Sequence, residues 1–109
     1  MRMLIRVSMN VERSNAVIKE GSLPKLIEDT IARLKPEAAY FYPEHGKRCA
    51  MFVCDMQDQS DIPAIAEPFF MHTGATVEIV PVMNLNDLKT GLNKVMAAMG
   101  AGEYTGAGV

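Results

Sequence analysis

Ala38-Ala39-Tyr40-Phe41-Tyr42-Pro43-Glu44-His45-Gly46-Lys47-Arg48-Cys49-Ala50-Met51-Phe52-Val53-Cys54-Asp55-Met56 is the stretch that decides the fold. Ala38–Tyr42 is aromatic-rich and reads as a strand. Pro43–Lys47 is a five-residue, glycine-containing turn sequence, and Arg48–Met56 is a nearly all-apolar second strand. Two strands joined by such a turn form a hairpin. An unbroken apolar run predicts a strand with both faces buried, one at the centre of a sheet.

Outward from this hairpin, each flank supplies a helix and then a strand. Upstream, Val11–Leu34 is predicted helical with a break at Gly21-Ser22. Asn10 offers a cap to its start, and Pro24 is tolerated in the first turn after the break. Leu23, Leu26, Ile27, Ile31 and Leu34 recur at three- and four-residue steps, and Pro36 ends the helix. Before it, Arg2–Met9 alternates with period two: Met3, Ile5, Val7 and Met9 on one face, Arg2, Leu4, Arg6 and Ser8 on the other. Downstream, Ser60 is the expected cap of a helix striped by Ile62, Ile65, Ala66, Phe69 and Phe70. Pro68 is expected to kink or shorten that helix, and Gly74 to stop it. Ala75–Met83 follows as a strand whose Pro81 cannot donate to a ladder, which places it at a sheet edge. Asn86 is the expected cap of a final helix carrying Leu88, Leu92, Val95, Met96 and Met99.

The order is that of an α+β fold: a ferredoxin-like βαββαβ sheet with helices on one face, plus a C-terminal helix. Residues 1–99 form one domain and the glycine-rich residues 100–109 a flexible tail.

Composition narrows the function classes. Among 109 residues, 49% are hydrophobic and 22% charged, and the net charge is −2. That balance suits a folded domain, and without a basic block no nucleic-acid partner is expected. No apolar run is long enough to span a membrane, and the first residues enter a strand without a signal-peptide core, so a cytoplasmic location is expected. Cys49 and Cys54 lie five apart in one strand, hence on opposite faces, and cannot bridge each other. They read as small apolar side chains, as do most of the nine methionines.

A four-stranded sheet with helices on one side leaves its other face open. Arg6, Tyr40, Tyr42 and Glu78 are the polar groups expected there, with Leu4, Ser8, Thr76, Val80 and Val82. Two readings of them stand. They converge on a small-molecule pocket, or Arg6 and Glu78 pair across the sheet or across an interface between copies. His45 lies in the hairpin turn and His72 near a helix C-terminus, where a cation suits the helix dipole. Asp55, Asp58 and Asp61 surround a helix start and read as capping residues. His-x-x-x-His and Cys-x-x-Cys spacings, a phosphate-binding loop, a dinucleotide fingerprint and a nucleophile elbow are all missing, so neither metal nor cofactor is expected.

With these residues in hand, the chain resembles the dimeric α+β barrel superfamily, and within it an uncharacterised bacterial family similar to muconolactone isomerases. The resemblance is carried by Arg48–Asp55 with the helix that follows, by Val77-Glu78-Ile79-Val80-Pro81-Val82-Met83, and by Leu85-Asn86-Asp87-Leu88. It implies a homodimer through facing sheets and a pocket for a small apolar or aromatic molecule. No family catalytic motif matches position by position, and the tryptophans of some relatives' pockets are absent. The expectation is therefore a homodimer that binds such a molecule at the open sheet face, with Arg6, Tyr40, Tyr42, His45 and Glu78 as ligand-binding residues. An alternative is a cofactor-free isomerase or monooxygenase in which Tyr42 or His45 moves a proton and Arg6 orients an anion. A third is a protein-interaction adaptor using Met- and Phe-rich surfaces.

Overall fold

In a computed structural model, which describes residues 1–100, the chain is α+β with one four-stranded antiparallel sheet and four helices. The elements are β1 (Arg2–Ser8), α1 (Val11–Lys19), α2 (Leu23–Leu34), β2 (Ala38–Glu44), β3 (Lys47–Asp55), α3 (Ile62–Thr73), β4 (Thr76–Pro81) and α4 (Leu85–Ala98). The sheet order is β2-β3-β1-β4. The expected tail lies outside the described residues, Gly100 excepted.

The hairpin is tighter than its sequence predicts. β2 runs on through Pro43 and Glu44, which pair with Arg48 and Lys47. Only His45 and Gly46 remain in the turn, at φ 53° and 74°. Two consecutive left-handed residues give the local twist that matches a right-handed hairpin, which a five-residue turn would not enforce. Pro43 is tolerated because β2 is an edge strand. At the opposite edge, β4 ends in Pro81, as expected.

Alternation sorts the sheet into two faces. Ile5, Val7, Met9, Ala50, Phe52 and Cys54 are buried against Ile65 and Phe69 of α3, with Leu23, Leu26, Ile27 and Leu34 of α2 packed around them. Phe41 joins this side, its ring edge-on to Phe52 at 6.0 Å between centroids. Cys49 and Cys54 are both buried and unpaired, on opposite faces of β3. The buried hydroxyls are satisfied: Thr30 donates to Leu26 O and Thr73 to Phe69 O. The expectation that both faces of β3 are buried does not hold in the single chain, because Met51 and Val53 on the far face stay half-exposed.

Helix ends account for most of the remaining differences. Asn10 caps α1 as expected, its side chain accepting from Arg13 N. Ser60 is not a cap. It lies inside a short 3-10 turn, Gln59–Asp61, capped reciprocally by Asp58 and Asp61. Asn84, not Asn86, caps α4, again reciprocally with Asp87. Gly74 ends α3 at φ 57°. Pro68 does not shorten α3, which continues to Thr73. A proline cannot donate to the carbonyl four residues earlier, and here that carbonyl, Ala64 O, accepts from the Arg33 guanidinium of α2.

Not every apolar stripe finds cover. Ile31, Ile62 and Phe70 are exposed. Of the four helices α4 alone buries no residue, and Leu85, Val95 and Met99 are 52%, 50% and 70% exposed. The chain is elongated, 59 × 29 × 19 Å with a radius of gyration of 18.0 Å; a compact domain of this length has about 13 Å.

Candidate functional site

The open face is built row by row from strand register. Arg6 of β1 stands opposite Met51 of β3 and Glu78 of β4, and Tyr40 of β2 stands opposite Met51. Ser8, Cys49, Tyr42 and Thr76 make the next row, and Leu4, Val53, Ala38 and Val80 the row on the other side. Both tyrosines therefore lie on the open face, as expected.

Within the chain, Arg6 does not pair with Glu78 across the sheet. Arg6 Nη2 reaches Glu44 Oε2 at 2.5 Å, across the intervening strand β3 and past the Ser8–Cys49–Tyr42 row, at the end of β2. Glu44 joined the strand because the turn is short, which brings its carboxylate onto the open face. The Glu44 carboxylate first, and the Tyr42 phenol second, hold the Arg6 guanidinium above its already high ordinary value. Glu78 stands directly opposite Arg6 on β4 but makes no ion pair among the described residues.

Arg6, Tyr42, Glu44 and Glu78 line one depression with Ser8, Cys49 and Thr76, of about 40 Å³. That is room for about one water, not for an aromatic molecule. Tyr40 is 61% exposed, and neither it nor His45, at the hairpin tip, lines this depression. The structure thus brings three of the five expected site residues together and leaves two apart.

A larger concavity lies on the other side of Tyr42 and Cys49. Between α2 and the β2–β3 hairpin is an open groove of about 380 Å³, lined by Met9, Leu23, Ile27, Phe41, Tyr42, Pro43, Cys49 and Arg48. Leu23 and Ile27, in the first turns of α2 after the Gly21-Ser22 break, form its helix wall. Its lining is apolar except for the Tyr42 hydroxyl and Arg48. Tyr42 and Cys49 line both concavities and form the wall between them.

Two further concavities are more polar. One of about 230 Å³ is walled by Arg33, Cys54, Asp55, Asp61 and Ile65, where Arg33 is already engaged with Ala64 O. Burial, ahead of the Asp55 charge, pushes the Cys54 thiol up from its ordinary value, so it stays protonated there. A trough of about 580 Å³ at the start of β1 is edged by Arg2, Glu37, Asp55 and Asp87, with Arg2 and Glu37 paired at 2.5 Å.

Arg48 is the site residue that strand reading missed. Its Nη1 donates to Ser14 Oγ at 2.7 Å and to Asn15 Oδ1 at 2.9 Å. The only sequence signal was its place at the start of β3, opposite Pro43; nothing local identifies partners 33 and 34 residues away. No group of three or more His, Cys, Asp or Glu side chains among the described residues is placed to hold a metal ion. Among the described residues no helix is long and apolar enough to cross a membrane.

No protein-family model matches the chain, and no curated protein matches it significantly.

Proposed function

We propose that this chain is a cytoplasmic, ferredoxin-like protein that pairs with a second copy through its open sheet face and binds a small apolar or aromatic molecule. The strand order β2-β3-β1-β4 is the order a βαββαβ ferredoxin-like sheet requires. The uncovered Met51, Val53 and Val80, with the exposed ring of Tyr40, favour burial of that face against its own copy. A twofold contact would make the same patch complementary to itself and close the assembly at two.

The observation that carries the binding reading is the groove beside α2. At about 380 Å³ it falls in the range of ligand sites, roughly 300–1,000 Å³, and it has their make-up: apolar walls and very few polar groups. The ligand is therefore assigned to the helix side of Tyr42 and not to the open face. Arg6, Glu44 and Glu78 are left to the interface.

Native mass spectrometry of gently purified protein tests both halves. The expected spectrum is a dimer with a retained small molecule, and Ile27→Trp, which fills the groove, yields the dimer without it. A monomer at micromolar concentration overturns the pairing. A retained molecule that survives Ile27→Trp overturns the groove assignment.

A further inference from the structure

We propose that the groove takes a small monocarboxylate with an apolar or aromatic body, its carboxylate held by Arg48. The proposal rests on the groove being a ligand site and names the ligand's chemistry.

Arg48 is the only charged residue in the groove's lining. Its guanidinium makes three contacts, all from Nη1 and all to neutral acceptors: Ser14 Oγ, Asn15 Oδ1 and, at 3.4 Å, Val11 O. No carboxylate lies within ion-pair distance of it among the described residues. Arg2 and Arg6, by contrast, are each neutralised by a glutamate.

The anchoring is specific. Ser14 is fully buried, donates its own hydroxyl proton to Val11 O at 3.1 Å, and so presents Oγ lone pairs to Arg48. One edge of the guanidinium is held by α1 while Nε and Nη2 make no hydrogen bond to the described residues. A planar fork held at one edge is organised to receive a carboxylate on the other. Being held in advance, it gives up little side-chain freedom on binding.

The charge count sets the class. One guanidinium with no second cation in the lining matches a single negative charge. The apolar walls of Leu23, Ile27 and Phe41 match an uncharged body attached to it. A phosphate dianion would lack a second partner, and a neutral molecule would leave the free edge of the exposed Arg48 guanidinium to solvent.

The test compares 4-phenylbutanoate with 4-phenylbutanamide on the full chain, by calorimetry and by methyl NMR shifts of Leu23 and Ile27. At neutral pH the acid is expected to bind about tenfold more tightly than the amide, the size of one exposed charge-assisted contact. Arg48→Gln is expected to remove that preference by weakening the acid. Equal binding of acid and amide to the unaltered protein overturns the carboxylate assignment while the groove reading survives. No shift of either methyl with either compound overturns the groove reading itself. The comparison on the unaltered chain needs no variant, so a folding defect of Arg48→Gln cannot mask the answer.

Discussion

At the scale of single residues, conformation and burial set the strongest expectations. Phe69 is fully buried against Phe52, their rings 6.4 Å apart. Phe69→Ala should cost about 3 kcal/mol in chemical denaturation, the usual penalty for emptying an aromatic site in a core; a loss below about 1 kcal/mol would contradict its place there. The turn makes the opposite kind of demand. Gly46 sits at φ 74° with open space around it, so Gly46→Ala should cost about 1–2 kcal/mol through backbone strain alone. His45 holds a left-handed conformation that asparagine adopts more readily. His45→Asn should therefore raise the melting temperature, and an unchanged or lower value would mean that the imidazole makes a contact of its own. The placement of Phe69 was legible from its helical stripe, and that of the tyrosines and Glu78 from alternation once polarity chose between the two faces. The partner of Arg6 was not, because it depends on Glu44 belonging to the strand, and that turns on one detail of turn geometry.

Elements show how a local rule is overridden by a neighbour. Pro68 leaves a carbonyl without its helical donor, and Arg33 from α2 supplies one. Arg33→Ala should destabilise the protein by about 1 kcal/mol, and by less in a Pro68→Ala background, where residue 68 regains its N–H. A double-mutant cycle measures the difference, and additive effects would show that the contact contributes nothing. Sequence reading saw the proline but could not see the arginine, which lies 31 residues from its acceptor. The start of α3 carries a pH dependence. Asp58 accepts from both the hydroxyl and the backbone N–H of Ser60, and these bonds hold its carboxyl below the ordinary carboxylate value. A depressed folded-state value means that its contribution is full above the unfolded carboxylate range, near pH 4, and is lost as pH falls through the folded value. Asp58→Asn should accordingly flatten the acid limb of a stability–pH profile; an unchanged limb would remove Asp58 from the account.

For the whole molecule, the question is what covers the surfaces that one chain leaves bare. The open sheet face and the apolar side of α4 are uncovered in the single chain. If the sheet face pairs with its copy, Val53→Lys, which sets a charge at its centre, should convert dimer to monomer in sedimentation velocity while the circular dichroism spectrum stays unchanged. A dimer that persists would move the interface elsewhere, with α4 as the remaining apolar surface. The sequence by itself determined the order of strands and helices, the core face of β1, the stripe of α3 that meets the sheet and the edge position of β4. These follow from periods of 2 and 3.6 residues and from proline and glycine, all of them local properties. Only the tertiary structure decided that Arg6 meets Glu44, that Arg33 satisfies Ala64, and that an unneutralised Arg48 stands at the rim of an apolar groove. Those depend on which distant side chain arrives at a given donor or acceptor. Chain packing settles that, and no local pattern encodes it.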